Sequence, residues 1–128
     1  MYPELADQVA GIVGSMVEER HTQLYAWCLM PDHLHLLTQD ADIVEFARLL
    51  KGRATPVARR HEYGRRLWQR SFFDHGLLRD ESLGRVAQYI FENPVRARLV
   101  ETPADYRWSG SNVWPHWRTF YRTRSGRG

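Results

Sequence analysis

Three groupings of residues carry the chemical interest of this sequence. His33-Leu34-His35 sets two imidazoles two positions apart. On a strand, residues i and i+2 project from one face, so both rings point the same way while Leu34 and Leu36 point the other. Paired imidazoles are ready ligands for a metal ion, and they serve equally well as two polar side chains on the wet face of a half-exposed strand. Tyr89 and Asn93, four residues apart, share a helix face, with Arg85 and Arg96 on the same side. That face flanks an apolar stripe, which suits a partly exposed hydroxyl aimed across a site and also a tyrosine that merely covers the edge of a core. Asn93, standing before Pro94, has an ordinary alternative as a turn or helix end.

The third grouping is charge. Residues 1–47 carry eight acids against Arg20, a balance of −7, whereas residues 48–70 carry eight bases against Glu62, a balance of +7. Apart from Lys51 every base is an arginine, the better fork for phosphate oxygens. Such a block, followed by a second basic stretch towards the C-terminus, is how a polyanion-binding surface reads in sequence; a solvated helix face reads the same way.

The elements that must position these groups follow from periodicity. At 128 residues, with 43% hydrophobic and 26% charged positions, the chain has the balance of one soluble domain. No stretch approaches the roughly 18 uninterrupted apolar residues of a membrane span. The N-terminus lacks a signal-peptide layout, so a cytoplasmic protein with no membrane partner is expected. A single cysteine, Cys28, excludes an internal disulfide framework or a four-cysteine zinc site and is expected to be a small buried hydrophobe.

Leu5, Val9, Ile12, Val13, Met16 and Val17 predict a helix over residues 3–20. Two apolar runs joined by Pro31-Asp32 predict paired strands. Ile43, Phe46, Ala47, Leu50 and Ala54 predict a second helix, bent or broken by Pro56. Two shorter strands are expected around an Asp74 turn, then a third helix carrying Leu83, Val86, Ala87 and Ile90 that Asn93-Pro94 ends or kinks. Residues 1–110 then form one domain and residues 111–128 a basic C-terminal tail, at least partly disordered. The order of elements implies an α+β fold, an antiparallel sheet with helices packed on one face and the other face left for function.

Several of these residues fall into longer motifs. Trp27-Cys28-Leu29-Met30-Pro31-Asp32-His33-Leu34-His35, Lys51-Gly52-Arg53, Leu67-Trp68-Gln69-Arg70, Phe73-Asp74-His75 and Tyr89-Ile90-Phe91-Glu92-Asn93-Pro94-Val95-Arg96-Ala97, in this order, resemble the REP-associated tyrosine transposases. These are single-tyrosine members of the HUH nuclease superfamily, and the resemblance runs from about residue 3 to Ser109. It implies a ferredoxin- or RRM-like sandwich in which a divalent metal, Mg²⁺ or Mn²⁺, is held by His33 and His35 and completed by Asn93. Tyr89 would be the nucleophile, forming a covalent 5′-phosphotyrosine link to single-stranded DNA from hairpin-forming repeats. Arg48, Lys51, Arg53, Arg59, Arg60, Arg65, Arg66, Arg85 and Arg96 would contact the DNA, with Trp68 or Tyr63 available to stack on a base. The protein would act as a monomer or homodimer.

Two departures stand out. Family members begin with an aromatic-rich strand, and this sequence starts almost at the first helix, so either the true start lies upstream or the sheet lacks its first strand, which would leave a neighbour's edge bare. Arg98 stands where glycine is usual, which is costly if φ is positive there. Three functions are weighed: a metal-dependent single-strand endonuclease and strand transferase; a truncated or domesticated module that binds hairpin DNA without cutting it; and a zinc hydrolase that activates water. A protein–DNA adduct distinguishes the first, and cleavage indifferent to Tyr89 the third.

Overall fold

Six apolar side chains spaced three and four apart, Leu5, Ala6, Val9, Val13, Met16 and Val17, form the buried stripe of helix α1 (Pro3–Arg20). The computed structural model describes residues 3–31, 33–38, 43–61, 70–75 and 80–124. Strands β1 (Leu24–Met30) and β2 (His33–Thr38) pair antiparallel, with Met30 opposite His33 and Cys28 opposite His35. Helix α2 (Ile43–Arg60) then crosses to β3 (Arg70–His75), and helix α3 (Asp80–Arg96) follows. A 3₁₀ turn (Pro103–Asp105), a two-residue strand β4 (Ser109–Gly110) and helix α4 (Trp117–Arg124) complete the described chain. The strand order is β3-β2-β1-β4.

The α+β class stands, with β2, β1 and β4 antiparallel. Two features of the expected arrangement are corrected. First, β3 runs parallel to β2, which requires a crossover, and α2 supplies it. β3 also continues straight through Asp74, because pairing along all of His33–Thr38 takes six residues; of the second strand expected over His75–Arg79, His75 belongs to β3 and residues 76–79 lie outside those described. Secondly, helices cover both faces of the sheet. Leu24, Leu29, Leu34 and Leu36 pack with α1 and with Phe46, Leu50, Ala54 and Val57 of α2. Ala26, Cys28, Met30 and Leu37, alternating with them, pack with Leu83, Ala87, Ile90 and Phe91 of α3 and with Trp117 and Tyr121 of α4. β1 is apolar on both sides, so one helical layer cannot bury it.

Both prolines expected to interrupt helices lie inside them. Continuing α2 past Pro56 buries Val57 and Ala58, and continuing α3 past Pro94 carries the chain to Arg96, where it reaches Tyr89. In α2 this burial offsets the roughly 3 kcal/mol an interior proline costs. α3 closes with Leu99 N–H bonded to the Pro94 carbonyl and Ala97 N–H to that of Asn93, which puts Arg98 at φ 61°. The backbone there is left-handed, a conformation that favours glycine over arginine.

The segment expected to be a tail is folded as far as Arg124. Phe91 and Trp117 stack at 4.1 Å, and the Arg118 guanidinium bonds to the carbonyls of Ala104, Tyr106 and Ser109 while lying 4.4 Å over the Trp117 ring. The same segment covers the outer edge of β1. Trp27 and Cys28 pair with Gly110 and Ser109, Leu29 N–H bonds to the Trp108 carbonyl, and Asn112 receives Leu24 N–H and donates to the Thr22 carbonyl. Gly110 is required here, since a Cβ would run into the Trp27 indole. Residues 125–128 lie outside those described.

Candidate active site

The site is built from β2 and α3. Alternation along β2 sends Leu34 and Leu36 into the α1–α2 core and leaves His33 and His35 on the α3 side, each half-buried. Leu83, Ala87 and Ile90 fasten α3 to the sheet, and Tyr89 and Asn93, one turn apart beside that stripe, come to the histidines. The two imidazoles meet edge to face with centroids 4.9 Å apart. The Asn93 amide nitrogen lies 2.8 Å from His33 Nε2 and donates to it. The Tyr89 ring stands 6.5 Å from that of His35, edge to face, and is 56% exposed.

Burial, reinforced by His33 and by the positive charge of Arg96, lowers the His35 pKa to about 4. Its imidazole is therefore neutral at pH 7, with a lone pair to offer. Behind it, Cys28 is fully buried and its thiol is pushed up to about 12, chiefly by burial, which makes it the inert hydrophobe expected. Arg96 lies across Tyr89: its guanidinium carbon is 3.8 Å from the ring centroid, and Nη2 donates to the Tyr89 carbonyl.

A metal fits this donor set. Two imidazoles and one side-chain amide converge, and the His33 lone pair that accepts from Asn93 is the one a metal would take; turning the Asn93 amide over presents Oδ1 in place of Nδ2. Among the described residues no cluster of three or more His, Cys, Asp or Glu side chains offers an alternative centre.

His33, His35, Tyr89, Asn93 and Arg96 are thus brought together, and Arg85 is exposed one turn earlier on α3. The α2 bases are not brought to this group. Arg48, Lys51, Arg53, Arg59 and Arg60 are exposed on a helix that packs against the opposite face of the sheet, where Arg48 pairs with Glu45 and Arg53 with Glu19 of α1. Tyr63, Arg65, Arg66 and Trp68 lie outside the described residues. Sequence reasoning missed an apolar recess of about 430 Å³ between α3 and the C-terminal segment, lined by Gly84, Gln88, Trp114, Trp117 and Phe120; these α3 residues lie on a different side of the helix from Tyr89 and Asn93. The aromatic density after Val100 was the available signal.

A motif order of this kind, set in this geometry, is matched by a family model. The model described as "Transposase IS200 like" covers residues 1–93, from α1 through Asn93. The chain belongs to the IS200-like transposase family. Within it, the chain is 30% identical over 98 residues to a Haemophilus influenzae protein named "Putative REP-associated tyrosine transposase", in agreement with the resemblance carried by the motifs. The match covers 66% of this chain and 56% of that relative, so it spans little more than half of the relative's length. No solved structure matches the chain. Among the described residues of this IS200-like chain, no helix is long and apolar enough to cross a membrane.

Proposed function

We propose that this protein is a transposase that cuts and rejoins single-stranded, hairpin-forming DNA through Tyr89, with a divalent metal, Mg²⁺ or Mn²⁺, held by His33, His35 and Asn93. The observation that carries the reading is the meeting of an exposed tyrosine with a pair of imidazoles, one of them bonded to Asn93, in a chain of this family. The bound metal supplies polarisation of the scissile phosphate. Tyr89 Oη forms a bond to phosphorus as the bond to the departing 3′ oxygen breaks; the phenol gives up its proton, and the 3′ oxygen takes one up to leave a free hydroxyl. The phosphotyrosine conserves the bond energy, so a later 3′-hydroxyl can reverse the step without a nucleotide cofactor. One chain brings Tyr89, His33, His35 and Asn93 together, an arrangement that serves a monomer or each copy of a homodimer.

The arginines divide by place. Arg85 and Arg96 stand next to the site, where the scissile phosphate and its neighbours come. The α2 bases serve DNA further from the cut, setting affinity and its salt dependence. Acting on host DNA, the protein works in the cytoplasm.

The test is denaturing electrophoresis of protein incubated with Mn²⁺ and labelled single-stranded hairpin oligonucleotides, beside Tyr89→Phe. A metal-dependent protein–DNA band that vanishes in the variant is the expected result. Cleavage with no linked band and no loss in Tyr89→Phe would overturn the reading in favour of metal-activated water. DNA retention without cleavage would overturn it in favour of a binding module.

A further inference from the structure

Arg96 lies seven residues, two helical turns, beyond Tyr89. An exposed tyrosine on a helix has more than one rotamer open to it, and an in-line attack tolerates only one direction of the hydroxyl. Arg96 touches Tyr89 at both ends of the lever that sets this direction: the guanidinium covers the ring face, and its Nη2 holds the carbonyl of the same residue. The chain uses the same device a second time. Arg118 covers the Trp117 ring and bonds to backbone carbonyls, and there it fixes the 104–109 segment against α4. A cation that served phosphate alone would need neither contact.

We propose that Arg96 is the positioning residue of the tyrosine nucleophile, holding the Tyr89 ring edge-on to His35 so that its hydroxyl is directed before DNA arrives. This rests on the reading of Tyr89 as nucleophile and adds to it a division of labour: the charge of Arg96 attracts DNA, while its planar fork orients the attacking group. Lysine keeps the charge but neither lies flat on a ring nor spans ring and carbonyl together, so the two contributions separate on substitution.

The experiment compares wild type, Arg96→Lys and Arg96→Gln in the full chain. Single-turnover adduct formation is followed with Mn²⁺ over a range of hairpin oligonucleotide concentrations. In parallel, fluorine NMR is recorded on the DNA-free proteins labelled with 3-fluorotyrosine, the Tyr89 resonance being assigned through Tyr89→Phe. In both Arg96 variants the saturating rate is expected to fall about a hundredfold. For Arg96→Lys the half-saturating DNA concentration should change by less than about threefold, since the phosphate charge is kept. The Tyr89 fluorine signal should move towards that of a solvated tyrosine while the other five stay in place, which also reports that the fold is intact. A wild-type rate in Arg96→Lys, or an unmoved Tyr89 signal in both variants, would overturn the proposal. If wild type forms no adduct, the nucleophile reading itself has failed, and a shifted Tyr89 signal would show that the fault lies there and not in the ring contact.

Discussion

The two faces of the sheet alternate residue by residue along the same two strands, yet they meet opposite demands. On the α1–α2 side, Leu34 and Leu36 are completely buried, and the charges are turned outward into exposed pairs such as Arg48–Glu45 and Arg53–Glu19, which contribute little to stability. On the α3 side, the apolar register of β2 is broken twice, by His33 and His35, and α3 leaves Tyr89 open to solvent beside them. The dry face fixes β2 firmly enough for the other face to hold polar groups in register without filling the space between them. Stability and reactivity are separated by the two-residue period of a strand.

That separation is sharpest at neighbouring positions. His35→Ala should abolish metal-dependent adduct formation by at least about a hundredfold while the thermal midpoint moves little; Leu34→Ala should cost about 2–5 kcal/mol of stability and leave the rate per folded molecule near that of wild type. Melting curves and single-turnover assays on the pair decide it, and loss of both properties in either variant would break the comparison. Next in size, Arg59→Gln combined with Arg60→Gln, on α2, should reduce the slope of log affinity against log salt by about 1.4 for single-stranded DNA, with the saturating rate unchanged. A fall in the saturating rate would mean that the dry side reaches the chemistry.

The wet face should also be the acid-sensitive one. The folded His35 pKa of about 4 lies below the ordinary 6.5, so between these values the unfolded chain binds a proton that the folded chain refuses. Its contribution to stability is unchanged above pH 6.5 and turns against folding as the pH falls towards 4. Urea midpoints of metal-free protein at about pH 7 and about pH 5 should show this drop, smaller in His35→Gln; an equal drop in both would place the sensitivity elsewhere. The smallest effect is expected at the end of α3: Arg98→Gly relieves the φ of 61° and should raise stability by about 0.5–1 kcal/mol, read as a higher thermal midpoint.

Much of this was legible in the residues. The stripe from Leu5 to Val17 marked α1 at its observed limits, and the pairing of β1 with β2 followed from two apolar runs. The i, i+2 spacing of the histidines and the i, i+4 spacing of Tyr89 and Asn93 put each pair on one face, because that period is intrinsic to the backbone. What was not legible depends on tertiary context. Pro56 and Pro94 are helix breakers by local preference, and only the packing of side chains around them keeps the helices going. The parallel direction of β3 follows from a crossover, which no local pattern records. The layer to which α2 belongs also decides where its arginines stand, and a charge count along the sequence cannot say that they are across the sheet from Tyr89. Arg118 reads as one more base of a basic tail, and its four carbonyl partners come from residues 9 to 14 positions earlier.

The seal on the outer edge of β1 has a consequence in time. Leu24 bonds to Asn112 across 88 residues of sequence, and Leu29 to Trp108 across nearly as many. During synthesis, α1, β1 and β2 have left the ribosome long before Trp108–Asn112 exists, so the growing chain carries an apolar strand with an unfilled hydrogen-bonding rim. For that interval, a second nascent chain on the same message can offer the missing partner as readily as the protein's own later segment. Spacing between ribosomes and the rate of translation from residue 30 to residue 112 therefore bear on how much of this protein reaches its folded form.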